Sequence, residues 1–296
     1  MLAALVVGSL SACRARNTTL PDPAAGNAAA AEWRAKHEAD YRREWVSIAG
    51  LHMLKPGANT AGNASTNDIV LPASTPASLG VFTLEGDRVR FDPTPGAPVR
   101  LNDKPVAASV AMRDDSARDA DELLVGNVRI VVHKTGARHA IRVRDPDGPL
   151  AKAFAGFTWF PIDAQYRVLG RFIRDPQPQR VKVVNTYGDV DEYTTEGVVE
   201  FSLQGQTLRL RPFTTRPKRL YFVFRDASSG HETYETARFL YSDLGDDDRT
   251  VLDFNEAYNP PCAFNPLTTC PVPLRENHLA VKVLAGEKRY AGNLRN

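Results

Sequence analysis

The sequence is poor in cysteine, with three among 296 residues. Two of these, Cys262 and Cys270, have neither the Cys-x-x-Cys spacing of redox motifs nor the paired spacing of zinc sites. No Gly-x-Ser-x-Gly segment occurs, which excludes the nucleophile elbow of the α/β-hydrolases. The common cysteine-based and serine-based signatures of catalysis are therefore absent, and no metal or cofactor is predicted.

The sequence also lacks an excess of charge of either sign. The 37 basic and 35 acidic residues give a net charge of +2, and the basic ones are scattered along the chain. A nucleic-acid-binding surface is therefore not expected. No apolar run reaches the roughly 20 residues that a membrane-spanning helix needs. The oligomeric state is not indicated by any pattern.

The first twelve residues, MLAALVVGSLSA, form an apolar run that ends at Cys13. The tetrad Leu-Ser-Ala-Cys resembles the bacterial lipobox, which implies a signal peptide over residues 1–13 and a lipid on the Cys13 thiol. No Lys or Arg precedes Arg14, so the true start is expected to lie further upstream or to have been trimmed. The alternative is an apolar N-terminus with an ordinary buried cysteine. Residues 14–28, rich in Ala, Pro, Asn and Thr, are predicted to be a flexible tether.

This reading predicts a cell-envelope lipoprotein, anchored to a bacterial membrane with its globular part in the periplasm. The lipid bilayer is then a partner through the acylated N-terminus. Because such a compartment is oxidising, Cys262 and Cys270 are predicted to form a disulfide bond across a proline-rich loop.

One amphipathic helix is predicted over residues 29–45, where Trp33, His37, Tyr41 and Trp45 recur at four-residue spacing. Beyond Gly50, short alternating apolar runs separated by turn residues indicate antiparallel strands, and the absence of further long helices argues against a parallel sheet. The predicted fold is mainly β. Two antiparallel β regions, each like a sandwich or barrel, follow the helix.

A turn at residues 145–149, Asp-Pro-Asp-Gly-Pro, marks the predicted boundary between the two regions. The first, with the helix, covers residues 29–148, and the second covers residues 149–296. Strands are predicted in the first region at 68–71, 80–84, 88–91, 127–133 and 139–143, and in the second at 166–173, 180–186, 197–203, 207–211 and 220–225.

The segments GANTAGNASTNDIVLP, LEGDRVRFDP, VRLNDKPV and LLVGNVRIVV of the first region follow the strand order of a forkhead-associated sandwich. The Arg and Ser with which that family reads phosphothreonine have no clear counterparts. The likeness is at the level of fold and implies no phosphopeptide function.

The second region carries FRDASSGHETYETARFLY, VLDFNEAYNPPCAFNPLTTCPVPLRENHL and a closing AGEK. These segments, with GLHMLKPGANTAGN and AFAGFTWFPID before them, resemble bacterial domain-of-unknown-function family 1684. The resemblance covers nearly everything after the tether. It implies little about activity, because the family is named for having none assigned.

Polar residues within these segments form the candidate ligand site. If residues 232–241 are a strand, Tyr234 and Arg238 share its polar face, and Asp253 and Asn255 share that of a second strand. Together such groups suit a small polar or anionic ligand. The alternative is a buried network that fixes strand register, with Arg238 satisfied by Asp253. The complete candidate set is Tyr234, Arg238, Asp253, Asn255, Tyr258, Asn259, Asn277 and Glu287.

Other polar groups carry weaker signals. Asp226, Ser228, Ser229 and His231 contain the ingredients of a hydrolase triad, but triad members are normally distant in sequence. His133 and His139 flank a predicted hairpin and are expected to pack across it, while Asp114 and Asp115 are read as solvated loop charges.

Three functions remain open at this stage. The first is a membrane-anchored protein that binds a small polar ligand or an envelope partner through its second β region. The second is an envelope hydrolase or lyase that uses the cluster around Tyr234, Arg238 and Asp253. The third is a scaffold without a ligand. A pocket in which the candidate side chains converge would separate the first two from the third.

Overall fold

The structure, a computed structural model, describes residues 18–291. The predicted signal peptide with its Cys13 and the first four residues of the predicted tether lie outside this range. Helix α1 spans Pro23–Tyr41 and continues as a π-helical turn over Arg42–Val46. It begins earlier than predicted because Asp22 caps it, accepting the amides of Ala24 and Ala25, with proline at the first helical position. The predicted tether is therefore helical from residue 23.

The predicted stripe of α1 does pack inward. His37 stacks on Trp33 at a ring-centroid distance of 4.5 Å and lies 4.3 Å from the ring of Tyr258. Burial lowers the pKa of His37 to about 4, so the imidazole is neutral at physiological pH. The histidine is a packed residue of an aromatic layer that joins the helix to the second β region.

The first β region is a sandwich of a six-stranded and a five-stranded sheet. Their strand orders are β1-β11-β10-β9-β6-β7 and β3-β2-β4-β5-β8, with every pair antiparallel except β2 and β3. Phe82, Phe91, Leu123 and Ile130 from the two sheets meet in one core. The strands are β1 Ile48–Met53, β2 Gly57–Gly62, β3 Ile69–Val70, β4 Gly80–Glu85, β5 Arg88–Pro93, β6 Arg100–Leu101, β7 Lys104–Pro105, β8 Val110–Met112, β9 Glu122–Val125, β10 Val128–Thr135 and β11 Arg138–Arg144.

The second β region packs a four-stranded sheet, β14-β13-β12-β18, against a three-stranded sheet, β15-β16-β17. Helix α2, Pro149–Ala153, follows the predicted turn. Four 3₁₀ turns span Ala164–Tyr166, Phe254–Glu256, Pro261–Ala263 and Arg275–Asn277. The strands are β12 Arg167–Val184, β13 Val190–Leu203, β14 Gln206–Leu210, β15 Phe213–Arg216, β16 Arg219–Phe224, β17 Arg238–Asp243 and β18 Arg249–Asp253. The prediction of a mainly β chain with antiparallel sheets behind one N-terminal helix is confirmed.

Strand β16 shows why this region needs the helix. Phe222 and Phe224 face the core between the two sheets, whereas Tyr221 and Val223 face the opposite side. A three-stranded sheet that is apolar on both faces needs cover on both. Helix α1 and the aromatic layer supply the second cover, so α1 contacts the second β region although its sequence precedes the first.

One sequence expectation is corrected by the strands. The predicted strands at 166–173 and 180–186 are parts of one strand, β12 (Arg167–Val184). Its pairing with β13 is interrupted between Arg174 and Gln179, where Pro176 and Pro178 lack the amide hydrogens that a regular ladder requires. A tight hairpin turn at Gln204–Gly205 joins β13 to β14, with both residues at positive φ.

Candidate functional site

The candidate residues do not converge on one pocket. Each is at least half-buried, and most bond to backbone groups of neighbouring loops. Asp253 alone among them lines the polar pocket described below. The structure separates them into several places. Arg238 forms a buried ion pair, Asn259 and Glu287 form a carboxyl–amide pair, and the amides of Asn255 and Asn277 fix loops. Tyr258 lies in the aromatic layer, and the hydroxyl of Tyr234 lies beside Cys262.

Arg238 is completely buried and is closed on protein groups. Its guanidinium donates to Asp226 at 2.8 Å, to the carbonyl of Val283 at 2.9 Å, and to the carbonyl of Ala285. It also lies over the ring of Phe224. The expectation that Asp253 pairs with Arg238 is therefore wrong, because the partner is Asp226. Through the carbonyls of Val283 and Ala285, Arg238 also links β17 to the C-terminal loop.

The predicted strand at residues 232–241 begins only at Arg238. The preceding residues form a turn in which the carboxylate of Asp226 accepts the amide of Ser228 at 2.7 Å. The hydroxyls of Ser228 and Thr233 are 2.8 Å apart. The Asp226 carboxylate is used in this turn and in the ion pair with Arg238, and the Ser228 hydroxyl is used in the turn. The two residues therefore have structural roles and do not form part of a serine triad.

The closing AGEK segment is explained by close packing. An added Cβ at Gly286 would lie 2.2 Å from the carbonyl oxygen of Ala257, and its φ of +78° suits glycine. The next residue, Glu287, is 1% exposed and accepts the amide of Asn259 at 2.8 Å. Burial raises the pKa of Glu287 well above its ordinary value. The carboxyl is therefore held in its neutral form inside the fold.

The two buried amides fix loops. Asn277 accepts the amide of Arg211 at 2.8 Å and donates to the carbonyls of Arg211 and Val223, both at 2.9 Å. Asn255 exchanges bonds with the backbone of Asp163 at 3.0 and 2.9 Å. Both N–H donors of each amide already bond to protein groups, and each amide oxygen accepts a backbone amide.

The two cysteines are not joined in the structure. The amide of Cys262 donates to the sulfur of Cys270 at 3.3 Å, and the hydroxyl of Tyr234 lies 3.8 Å from the Cys262 sulfur. Burial raises the pKa of the Cys270 thiol well above its ordinary value. The prediction of a disulfide bond is therefore corrected. Hydrogen bonds and prolines hold this loop, and the buried Cys270 sulfur accepts one of those hydrogen bonds.

A polar pocket of about 370 Å³ lies where α1 crosses the ends of β12, β16, β17 and β18. Arg167 donates to Asp253 at 2.6 Å inside it, with side chains only 4% and 12% exposed. Gly26 of α1 allows this arrangement, because an added Cβ there would lie 2.3 Å from Nη1 of Arg167. Arg219 lines the same pocket, with its guanidinium 5.1 Å from the ring centre of Tyr241.

Glu256, in the 3₁₀ turn after β18, is the carboxyl of this pocket whose pKa lies near neutral pH. Its pKa is raised to about 7, mainly by burial and also by the charge of Asp253, against the opposing effect of the positive charges of Arg167, Arg219 and Arg34. The Glu256 carboxyl forms no hydrogen bond or ion pair with any residue in the range 18–291. A pocket carboxyl with a pKa near neutrality and spare bonding capacity is a frequent mark of a functional site.

Sequence reasoning missed Arg167, Arg219 and Glu256. Arg167 and Arg219 begin strands 52 residues apart, and only the pairing of Arg167 with Asp253 across β12 and β18 brings the charges together. The one local signal is Asp253 followed three residues later by Glu256, a carboxylate pair at the end of an apolar strand.

Among the described residues, no group of three or more His, Cys, Asp or Glu side chains is arranged to hold a metal ion. Over the same range, no helix has both the length and the apolar character needed to cross a bilayer.

The second β region thus defines a β-sandwich domain with a polar pocket under its N-terminal helix. Residues 152–288 match the family model described as Protein of unknown function (DUF1684), so the chain contains a domain of this family. No curated protein matches the chain.

Three solved structures resemble parts of the chain. The solution NMR structure of an uncharacterized protein of Haloarcula marismortui is 31% identical, covering 49% of this chain and 82% of that one, with a TM-score of 0.41. A phosphothreonine-dependent FHA domain is 15% identical (32% and 93% covered, TM-score 0.22). Mycobacterium tuberculosis EmbR, in complex with a low-affinity phosphopeptide, is 18% identical (41% and 29% covered, TM-score 0.23). At these TM-scores the FHA likenesses imply nothing about phosphopeptide binding by this chain.

Proposed function

We propose that the second β region binds a small polar ligand in the pocket lined by Arg167, Arg219, Asp253 and Glu256. The observation that carries this proposal is Glu256, a half-buried carboxyl with a pKa of about 7 and no protein partner among residues 18–291. A fold that needed these charges only for stability would pair all of them. A volume of about 370 Å³ suits a ligand of the size of a hexose.

The charges of the pocket favour a neutral or cationic ligand over an anionic one. Arg167 is bonded to Asp253 at 2.6 Å and Arg219 to Asp243 at 2.9 Å, so each guanidinium already has a carboxylate. Glu256 adds a third carboxyl that ionises near neutral pH. A hydroxylated ligand that carries an ammonium group complements this set.

The enzyme alternative around Tyr234, Arg238 and Asp253 loses its geometric support. Arg238 is enclosed with Asp226, and Asp253 is held by Arg167 in the polar pocket. The three side chains therefore do not share a site.

Three polyols built on the same six-carbon chain test the proposal: sorbitol, N-methylglucamine and gluconate, which are neutral, cationic and anionic. At pH 8 we expect calorimetry to show N-methylglucamine binding about tenfold more tightly than sorbitol, equivalent to about 1.4 kcal/mol, with gluconate the weakest. At pH 6 the preference should shrink, because Glu256 is then protonated. Glu256→Gln should lose the preference at both pH values.

Glu85→Gln, a change at an exposed residue at the end of β4, is the matched control and should keep the wild-type pattern. Failure of all three polyols to bind at millimolar concentration would contradict the proposal. So would an unchanged preference in the Glu256→Gln variant.

We further propose that the protein is a cell-envelope lipoprotein anchored through Cys13, with its β regions in the periplasm. The support is the lipobox-like tetrad at the end of an apolar run. Cys13→Ala should move the protein from the membrane fraction to the soluble fraction, while Cys270→Ala should leave it membrane-bound. Mass spectrometry that finds an unmodified Cys13 in membrane-derived protein would count against the anchor.

A further inference from the structure

A hydrogen-bonded relay of three side chains lies where the two β regions meet. Asp115 Oδ2 is 2.7 Å from Nδ1 of His133, and Nε2 of His133 is 3.0 Å from the hydroxyl of Thr269. Asp115 follows β8, His133 is in β10, and Thr269 lies in the loop after the 3₁₀ turn Pro261–Ala263. The relay joins residues that are up to 154 positions apart in the sequence.

Asp115 is not the solvated loop charge that the sequence suggested. It also accepts Arg142 at 2.9 Å and the amide of Lys134 at 3.0 Å. Burial alone would raise the pKa of Asp115, but the hydrogen bonds from His133 and the Lys134 amide and the charge of Arg142 outweigh it, and the pKa lies below its ordinary value. The carboxylate is therefore ionised and accepts hydrogen bonds.

The ionised carboxylate fixes the tautomer of His133. A carboxylate only accepts, so Nδ1 must carry the proton that it shares with Asp115. In the neutral imidazole Nε2 is then an acceptor, and the hydroxyl of Thr269 donates to it. The arrangement is that of a nucleophile, a base and a group that orients the base.

Thr269 also lines a partly open cavity of about 210 Å³. The other walls are mostly aromatic. The hydroxyls of Tyr221 and Tyr258 there form no hydrogen bond with another residue in the described part of the chain, and burial raises the pKa of both, which keeps them protonated as donors. Aromatic lining residues include Tyr41, Trp45, Tyr221, Phe239 and Tyr258.

We propose that Thr269 is the nucleophile of an acyl-transfer site that takes esters with a small apolar or aromatic acyl group. The Thr269 oxygen attacks the ester carbonyl carbon while its proton passes to Nε2 of His133. The carbon–oxygen bond to the alcohol then breaks, and His133 returns the proton to the leaving alcohol. Water, activated by the same nitrogen, hydrolyses the acyl-threonine and regenerates the hydroxyl. Asp115 stabilises the imidazolium formed in between.

The geometry favours this role over a purely structural contact between regions. A purely structural bridge would be expected to bury all three groups. Thr269 is instead half-exposed at a mostly aromatic cavity that the Tyr221 and Tyr258 side chains also line. The site is separate from the pocket of Glu256, although Tyr241 lines both cavities. The two proposals therefore fail independently.

The test uses p-nitrophenyl acetate with the full chain. We expect release of p-nitrophenolate together with one acetyl group that peptide mass spectrometry places on Thr269. Thr269→Ala should abolish both, and Thr269→Ser should retain both. His133→Gln should lower the rate by about 10²–10⁴, the range for loss of a general base.

His139→Gln is the matched control, because His139 lies on the neighbouring strand with its Nε2 3.6 Å from Asp114 and has no contact with Thr269. It should hydrolyse the ester at the wild-type rate, and each variant's melting curve shows whether it is folded. The proposal is overturned by acetylation at other residues alone, by wild-type rates in folded Thr269→Ala, or by wild-type protein that gives no acetyl-threonine.

Discussion

Arg238→Met is expected to destabilise the protein by about 3–5 kcal/mol, the range for breaking a buried ion pair. The substitution leaves the carboxylate of Asp226 fully buried without its counter-charge and leaves the carbonyls of Val283 and Ala285 without their donor. For a chain of this size, with an unfolding entropy of about 0.6 kcal/mol/K, such a loss lowers the melting temperature by about 5–8 °C. Thermal unfolding followed by circular dichroism measures it.

The control for this prediction is Arg209→Met, which removes an arginine bonded to Glu200 at the surface. Its side chain is 64% exposed, so little change is expected. If the Arg238 variant protein lacks a transition, Asp226→Asn tests the same pair more gently, because it removes the buried charge but keeps an acceptor. Equal melting temperatures for the Arg238 and Arg209 variants would contradict the prediction.

Glu287→Gln is expected to stabilise the protein at pH 8 and to have little effect near pH 4. The pKa of Glu287 is raised in the folded state above its ordinary value of 4.5, so the folded chain keeps a proton that the unfolded chain releases. The favourable contribution of the carboxyl is complete below pH 4.5 and declines as pH rises. Each pH unit over which only the unfolded state ionises removes about 1.4 kcal/mol.

Glutamine retains an oxygen for the amide of Asn259 and does not ionise, so the variant avoids that decline. Urea unfolding at pH 4, 6 and 8 measures the difference between wild type and variant. Glu200→Gln, at the surface, should show no comparable pH trend. A Glu287→Gln variant that loses stability in parallel with wild type as pH rises would show that Glu287 ionises in the fold.

The sheets were predictable because alternation of apolar residues reports burial directly. Val89 and Phe91, or Phe222 and Phe224, recur at period two and face their cores as that period requires. The helix start was missed because the cap at Asp22 lies in an alanine-rich and proline-rich stretch that also suits a tether.

The candidate site was harder, because a polar residue in a strand does not reveal its partner. Arg238 and Asn277 bond mainly to backbone carbonyls of distant loops, and such partners leave no side-chain signal in the sequence. The Arg167–Asp253 pair depends on register between β12 and β18, which are separated by the whole of β13 to β17. Thr269 is linked to His133 only through the meeting of the two β regions.

The short sequence distance between Cys13 and Thr18 limits how far a protein anchored through Cys13 could lie from a membrane. Thr18 lines the polar pocket and bonds to Asp247 at 2.8 Å, five residues after Cys13. Five residues span at most about 18 Å even when fully extended. A lipid on Cys13 would therefore hold the rim of this pocket near the headgroup layer. The linker would be too short for the pocket to face away from the membrane across the periplasm. Ligands of the pocket would therefore come from the membrane surface.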